Sequence, residues 1–213
     1  MADPPRLLLC EGPEDKAFFE QLIRTRTLPR FRIRDTGGKI LKAAGNTRFG
    51  FALKAFKLER GVKDILIVAD NDEAPDKRFS NVCTQIGDAY DLDKVPSRPL
   101  EKVSNDPSIM VLMLPWEGEV GCLETLCEES ARTANAQIAG HVDYFAAMVG
   151  VDNWDKQTRK SKMWLRTMLA ATCERDPFVF LGNVFRYHRN QYLIPLDHPC
   201  FDRVSNVLSQ YGR

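Results

Sequence analysis

Four short segments between residues 6 and 114 have the pattern of β-strands. The residues from Arg6 to Cys10, Asp64 to Ala69 and Ile109 to Leu114 are almost continuously apolar. Continuous apolar runs of this length are typical of strands in a sheet that is covered on both faces. The segment from Phe31 to Thr36 alternates between apolar and polar residues and stops at two glycines, which also favours a strand.

Apolar residues at helical spacing separate these predicted strands. Gly12 and Pro13 indicate a helix start, because proline is favoured in the first turn of a helix. We predict further helices over residues 40–60, after Asp72, and from about Cys122 onward. Strands that alternate with helices in this way are typical of an α/β fold with a mostly parallel, doubly wound sheet.

The pattern changes beyond Ala134. Three later segments have helical spacing and no further buried strand is evident: residues 136–149, 156–173 and 199–211. The apolar residues between positions 178 and 185 are predicted to be core. We therefore predict a catalytic α/β domain over residues 1–133 and a helical C-terminal extension, residues 134–213, packed on that domain.

The composition of the chain argues against some classes of binding partner and favours one cellular compartment. The 213 residues are 44% apolar and carry a net charge of +1, which argues against a basic coat that binds nucleic acid by charge alone. The six cysteines form no CxxC pair, so we expect them to be buried and reduced in a cytoplasmic protein. No segment approaches the roughly 20 apolar residues of a membrane span, and we expect no membrane partner.

Acidic residues follow three of the predicted strands. Glu11 ends the first strand, Asp70 and Asp72 end the third, and Glu124 comes after the fourth. The carboxyl ends of parallel strands meet at one edge of a sheet, where ligands collect. Asp70 and Asp72 are two residues apart, so in an extended segment their side chains point to the same side. Asp15 lies in the first helical turn after Glu11, close to the same edge.

Converging carboxylates repel one another unless a cation lies between them. Magnesium prefers oxygen ligands and takes one or two carboxylates together with waters and substrate phosphate. It can polarise a phosphoryl oxygen, while a carboxylate without a metal bond moves a proton. Acids in solvated loops at strand ends are also common, and one Asp-x-Asp is weak support for a site. A strand that ends in Glu-Gly, followed later by a strand that ends in Asp-x-Asp, is a more specific sign of such a site than Asp-x-Asp alone.

Two stretches resemble a Toprim domain, the catalytic fold of topoisomerases, bacterial primases and OLD-type nucleases. In LLLCEGPEDKAFFEQL, the residues Glu11, Gly12 and Asp15 match the Toprim pattern of an apolar strand followed by Glu-Gly-x-x-Asp. In DILIVADND, the residues Asp70 and Asp72 match the later strand that ends in Asp-x-Asp.

The later part of the chain is similar to a stand-alone, uncharacterised Toprim-related family of mostly prokaryotic proteins. The similar segments are an LMLP run at Leu112–Pro115, a G-x-LE-x-L run at Gly121–Leu126, and a helical K-x-x-x-W-L region near residues 162–165. In one respect the chain departs from the Toprim pattern. Many Toprim domains carry a glycine after Asp-x-Asp, whereas Glu73 stands here.

The resemblance implies a Rossmann-like Toprim core and roles for particular residues. Glu11 would be a general acid/base or a metal ligand, with Asp15 in support of catalysis. Asp70 and Asp72 would hold Mg²⁺, or Mn²⁺ in its place. Glu124 would be a further acid suited to a second metal, as in OLD-type nucleases.

Two other segments are candidates for phosphate or nucleic-acid contacts. Gly37, Gly38 and Lys39 can cradle a phosphate with backbone N–H groups and a lysine, or form a plain turn. Lys160 and Lys162 belong to a basic run before Trp164. The lysines can contact a phosphate backbone while the tryptophan stacks on a base, or the tryptophan is core at the start of an exposed helix.

Three hypotheses for function follow. The first is a magnesium-dependent phosphodiester hydrolase, a nuclease acting on DNA or RNA. The second is a non-catalytic binding or regulatory subunit that works with a separate ATPase, since OLD nucleases carry an ATPase and this sequence has no Walker A motif. The third is a phosphatase acting on a small nucleotide, for which a narrow pocket would be expected.

Overall fold

The computed structural model describes residues 5–37, 48–56, 61–90 and 95–211 and has a four-stranded sheet at its centre. The strands are β1 (Arg6–Cys10), β2 (Arg32–Asp35), β3 (Asp64–Asp70) and β4 (Ser108–Leu114). Their order is β2-β1-β3-β4, and every pairing is parallel. All four carboxyl ends therefore lie along one edge, and the predicted α/β fold with a parallel sheet is confirmed.

Eight α-helices surround the described sheet. They are α1 (Pro13–Thr25), α2 (Arg48–Phe56), α3 (Pro75–Tyr90), α4 (Leu123–Ala134), α5 (Ala136–Met148), α6 (Gln157–Thr172), α7 (Leu181–Arg186) and α8 (Asp202–Tyr211). Short 3₁₀ turns occur at Val151–Asn153, His188–Leu193 and Pro199–Phe201. After β4 the described chain forms helices and no further strand, as predicted. None of the described helices is both long enough and apolar enough to cross a membrane.

Both faces of the sheet are covered, which explains the continuous apolar strands. Leu8 and Cys10 of β1 point to the face packed by α1, α4 and the C-terminal helices. Leu7 and Leu9 point to the opposite face, packed by α2 and α3. Successive residues of a strand alternate between faces, so a strand buried on both sides needs apolar side chains at every position.

The C-terminal helices share the core of the first face. The Phe18 ring of α1 lies 5.3 Å from the Phe185 ring of α7 and 5.4 Å from the Phe201 ring. The Tyr211 hydroxyl at the end of α8 donates a hydrogen bond to the Ile65 carbonyl oxygen, 2.8 Å away. These contacts brace the sheet opposite its carboxyl edge, which leaves that edge for the candidate site.

Two predictions about core residues had different outcomes. All six cysteines are free thiols and all except the half-buried Cys200 are buried, as expected. The prediction that 178–185 is core throughout was wrong, because Phe178 and Phe180 are exposed while Val179 and Leu181 are buried. The chain is extended at Phe180, just before α7, so alternate side chains point outward.

Candidate active site

Glu11 lies at the centre of the carboxyl edge, between β1, β2 and β3. Its Oε1 accepts a hydrogen bond from the Asp70 backbone N–H at 3.2 Å. Its carbonyl oxygen accepts one from the Thr36 hydroxyl at 2.7 Å. The same Oε1 accepts a short hydrogen bond from the Arg78 guanidinium. The sheet and α3 therefore hold the Glu11 side chain in one place.

Asp15 is buried in the first turn of α1, directly beside Glu11. Its Oδ2 accepts a hydrogen bond from the Gly12 N–H at 2.8 Å, which satisfies a free donor at the helix start. Burial raises the pKa of Asp15 to about 7, and the charge of Glu11 adds to the increase. Asp15 is therefore close to half-protonated at neutral pH.

Asp70 links the end of β3 to the start of α4. Its Oδ1 accepts a hydrogen bond from the Leu123 N–H, 3.1 Å away, at the first residue of α4. Burial raises the pKa of Asp70 well above its usual range, and the charges of Asp15, Glu11 and Glu124 raise it further. Glu124 is itself buried in the first turn of α4. The structure thus brings together four of the five predicted acids.

Asp72 lies slightly apart from this group. Its backbone has φ +52° and pairs with Gly121, with N–H to carbonyl distances of 2.8 and 2.9 Å. The expectation of an extended segment from Asp70 to Asp72 was therefore wrong, because the bridge to Gly121 turns the chain. The Asp72 side chain is 51% exposed, and its Oδ2 lies 3.5 Å from Arg78 Nε.

Gly121 is required where the two loops meet. Its φ is +142°, and a Cβ at this position would lie 2.6 Å from Thr125 Oγ1. That hydroxyl accepts a hydrogen bond from the Cys122 N–H at 3.1 Å and so caps the start of α4. A side chain at position 121 would displace the cap, and with it the helix start that holds Asp70.

Asn71 fixes the loop after β4, and the sequence analysis did not single it out. Its side chain is buried, and Nδ2 donates to the carbonyl oxygens of Trp116 and Glu119, both at 2.6 Å. Its backbone N–H donates to the Leu114 carbonyl at 2.8 Å. The middle residue of Asp-x-Asp therefore positions the backbone that leads into α4.

Arg78 is the second residue that the sequence analysis missed. Its Nη2 binds Glu11, and its Nε lies 3.3 Å from the Asp70 carbonyl oxygen and 3.5 Å from Asp72 Oδ2. A sequence signal was present, because Arg78 occupies the inward stripe of α3 that continues with Val82 and Ile86. A charged residue in such a stripe indicates a buried partner of opposite charge.

Glu73, which follows Asp-x-Asp, has a specific partner. Its carboxylate accepts hydrogen bonds from the Gln157 and Thr158 N–H groups, at 3.0 and 2.9 Å, and from the Thr158 hydroxyl at 2.5 Å. Slight burial raises the pKa of Glu73, but these hydrogen bonds outweigh it and lower the pKa below its ordinary value. Glu73 thereby caps α6 and fixes the β3–α3 loop to the C-terminal helices.

Of the predicted phosphate loop Gly37, Gly38 and Lys39, only Gly37 belongs to the described residues. Gly37 has φ +82°, and its N–H donates to Asp35 Oδ1 at 2.8 Å, which is a turn geometry. Gly38 and Lys39 fall outside the described residues, so their predicted phosphate contact stays a prediction.

Two lysines of the basic run on α6 lie in different surroundings. Lys160 Nζ donates to the Asp152 carbonyl at 2.8 Å, on the outer surface. Lys162 faces the acids instead: burial lowers its pKa, but Glu124 and other negative groups outweigh this and raise it. Trp164 is buried and donates to Asp143 Oδ1 at 2.7 Å, so it is not available for base stacking.

The acidic group, Glu11, Asp15, Asp70 and Glu124, offers the oxygen atoms that a hard cation prefers. Its side chains are not already arranged as a set of metal ligands. Across the ranges that the structure describes, no three or more histidine, cysteine, aspartate or glutamate side chains are grouped as metal ligands. Magnesium needs only one or two carboxylates beside its waters. Burial raises the pKa values of Asp15 and Asp70, and the neighbouring acids raise them further, so a bound cation would favour the ionised form of both. A divalent cation therefore fits these residues.

A family model described as a protein of unknown function (DUF3226) matches residues 5–210. The chain belongs to this family. The DUF3226 match covers the sheet and the C-terminal helices together, so every residue of the acidic group lies within it. Neither the curated proteins nor the solved structures gave a match to the chain.

Proposed function

We propose that this protein is a Toprim-type, magnesium-dependent phosphodiester hydrolase that cleaves DNA or RNA. The observation that supports the proposal is the electrostatic coupling of Glu11, Asp15, Asp70 and Glu124 at the carboxyl edge of a parallel sheet. Ligands of open α/β sheets bind at this edge. The Toprim resemblance of the two stretches that carry these acids supports the same conclusion.

The roles of the residues follow from their surroundings. Glu11, Asp70 and Glu124 would hold the cation, with Asp72 at the exposed side. When bound, Mg²⁺ supplies a Lewis acid for a phosphoryl oxygen. Asp15 is suited to exchange a proton near neutral pH, because its pKa is raised to about 7.

The surroundings of the site favour an extended polyanion as substrate. A cavity of about 550 Å³ lies beside Asp72, and its wall includes three basic side chains, Lys77, Arg78 and Lys156, together with the acids Asp72 and Glu73. Lysine and arginine in this arrangement suit successive phosphates of a nucleic acid, whereas the chain as a whole is nearly neutral. A nuclease therefore accounts for the groove better than a phosphatase of small nucleotides does.

Cleavage assays with labelled DNA and RNA, single- and double-stranded, test the proposal. The wild-type protein should cleave at least one substrate with Mg²⁺ or Mn²⁺ and none with EDTA. Glu11→Gln and Asp70→Asn should reduce the rate by at least about 100-fold, while both variants still bind the substrate. Glu117→Gln, which alters an exposed acid in the loop after β4, is the matched control. Full activity in both site variants would refute the proposal.

One observation favours the alternative of a non-catalytic subunit. The outer face of α5 exposes four large apolar side chains, Tyr144, Phe145, Met148 and Val149. Contiguous apolar surface of this kind marks interaction sites. Under this alternative the protein would bind a separate ATPase through α5 and show no cleavage with any cation. Tyr144→Glu would then abolish binding to the ATPase, whereas Glu11→Gln would leave it unchanged.

A further inference from the structure

Arg78 occupies the middle of the acidic edge as a positively charged side chain. Its guanidinium contacts Glu11 Oε1, the Asp70 carbonyl oxygen and Asp72 Oδ2. Glu11 and Asp72 are candidate cation ligands, and Arg78 therefore contacts carboxylate oxygen atoms that a metal ion would use. Only 18% of its side chain is exposed, so solvent screens the interaction weakly.

The guanidinium and a divalent cation cannot both bind the Glu11 carboxylate in this way. Two positive groups within a few ångströms repel each other strongly, because the effective dielectric constant in such a place is about 20 rather than 80. An ion that binds Glu11 must therefore displace Arg78 or bind more weakly because of it. Burial alone would lower the pKa of Arg78, but Glu11 and Asp72 raise it, so the side chain stays charged throughout.

A place for the displaced side chain lies next to it. The cavity of about 550 Å³ beside Asp72 already includes Arg78 in its wall, together with Lys77, Lys156 and Asn81. Movement of the guanidinium toward this cavity takes it away from Glu11, while Asp72 and Glu73 in the same wall keep carboxylates near its charge. Arginine binds a phosphate with two parallel hydrogen bonds, which lysine cannot do.

We propose that a divalent cation displaces Arg78 from Glu11 and that the released guanidinium binds a substrate phosphate in the adjoining cavity. Arg78 is then an internal counter-cation in the metal-free protein and a phosphate ligand in the metal-bound protein. This inference extends the proposed function, on which it rests for the identity of the phosphate. Metal and phosphate should accordingly bind cooperatively, each raising the affinity for the other by the same factor.

Calorimetric titration with Mg²⁺ alone tests the displacement. Arg78→Gln removes the competing charge and should bind Mg²⁺ at least about tenfold more tightly than wild type does. Lys77→Gln is the matched control, since it removes the same charge from the neighbouring, exposed position in the same cavity wall. Its Mg²⁺ affinity should change less than about threefold. Equal or weaker Mg²⁺ binding by a folded Arg78→Gln variant would overturn the proposal.

A spectroscopic measurement follows Arg78 in the wild-type protein itself and needs a variant only for the assignment. The Nε–H resonance of Arg78, which donates toward the Asp70 carbonyl, should shift during an Mg²⁺ titration and saturate with the calorimetric heat. The Arg78→Lys variant has no guanidinium Nε–H, so the resonance that is missing from its spectrum is that of Arg78. A resonance that stays unchanged while Mg²⁺ binds would mean that Arg78 is not displaced.

The phosphate step is tested with a labelled single-stranded oligonucleotide and Ca²⁺, another cation with oxygen ligands. Ca²⁺ should raise the affinity of the wild-type protein for the oligonucleotide about tenfold. Arg78→Gln should lose this increase, and an increase that persists would refute the phosphate role. Absence of cleavage with every cation would refute the proposed function alone, because the Mg²⁺ titrations need no substrate.

Discussion

Replacement of Asp15 by asparagine should stabilise the metal-free protein at neutral and alkaline pH, but hardly at acidic pH. The Asp15 carboxyl is buried beside Glu11 and has a pKa of about 7 in the fold, against 3.8 for an unperturbed aspartate. Because the pKa is raised, the folded state binds the proton between pH 4 and 7 while the unfolded state releases it. Stability due to this group therefore falls as pH rises through that window and becomes constant above it.

The size of the effect follows from the two pKa values. The ionised carboxyl costs the folded state up to about 4 kcal/mol above pH 7 and almost nothing at pH 4. Asparagine carries no charge at any of these pH values, and its side-chain oxygen can still accept the hydrogen bond from Gly12. We therefore expect Asp15→Asn to gain on the order of 2–4 kcal/mol at pH 8 and less than about 1 kcal/mol at pH 4.

Denaturant unfolding at pH 4, 6 and 8, in the presence of EDTA, measures this difference. Glu20→Gln is the control, because it neutralises an exposed acid of the same helix and should change stability by less than about 0.5 kcal/mol at each pH. A gain of equal size at pH 4 and pH 8 would show that packing, rather than charge, is responsible. No gain at pH 8 would refute the electrostatic coupling that supports the proposed function.

Three other predictions concern residues around the site. Each loss is a loss of the free energy of unfolding, measured with denaturant, and the last prediction also requires an oligonucleotide-binding assay. Gly121→Ala should lose about 3 kcal/mol because its Cβ meets Thr125, whereas Gly118→Ala, also at positive φ but in open space, should lose only about 1 kcal/mol. Glu73→Ala should lose about 1 kcal/mol at pH 7, and the loss should disappear as pH falls below 4 and the wild-type carboxylate is protonated. Trp164→Phe should lose about 1 kcal/mol and leave oligonucleotide affinity unchanged, and weaker binding would contradict the buried position of the ring.

The fold was predictable from the sequence because its signals are local. The apolar runs of β1, β3 and β4 are continuous, and each is followed by an acid or a turn. Strands of this kind that alternate with helices leave few arrangements other than a parallel sheet, and a parallel sheet places all the strand ends at one edge. The placement of Glu11 and Asp70 at that edge was therefore predictable from the strand pattern.

The parts that escaped prediction depend on contacts between distant residues. Arg78 reaches Glu11 across 67 positions, and Glu73 caps a helix that begins 84 positions later. No local pattern specifies such pairs. The turn at Asp72 depends in the same way on Gly121, whose pairing overrides the extended geometry that the spacing to Asp70 suggested.

Under the proposed function, the charges at the edge explain how the same acids would accept either Arg78 or a divalent cation. Four carboxylates face the guanidinium of Arg78, the ammonium of Lys162 and the N-terminal ends of α1 and α4, each helix end acting as about half a positive charge. The positive side is therefore short by about one charge, or by about two when Asp72, which also contacts Arg78, is included. Burial and these neighbouring acids raise the pKa values of Asp15 and Asp70, so protonation offsets part of the difference. Exchange of Arg78 for a divalent cation would add one positive charge and leave Asp15 free to ionise. The charge imbalance thus adds to the effect of burial on the pKa of Asp15, and it accounts for the position of Arg78.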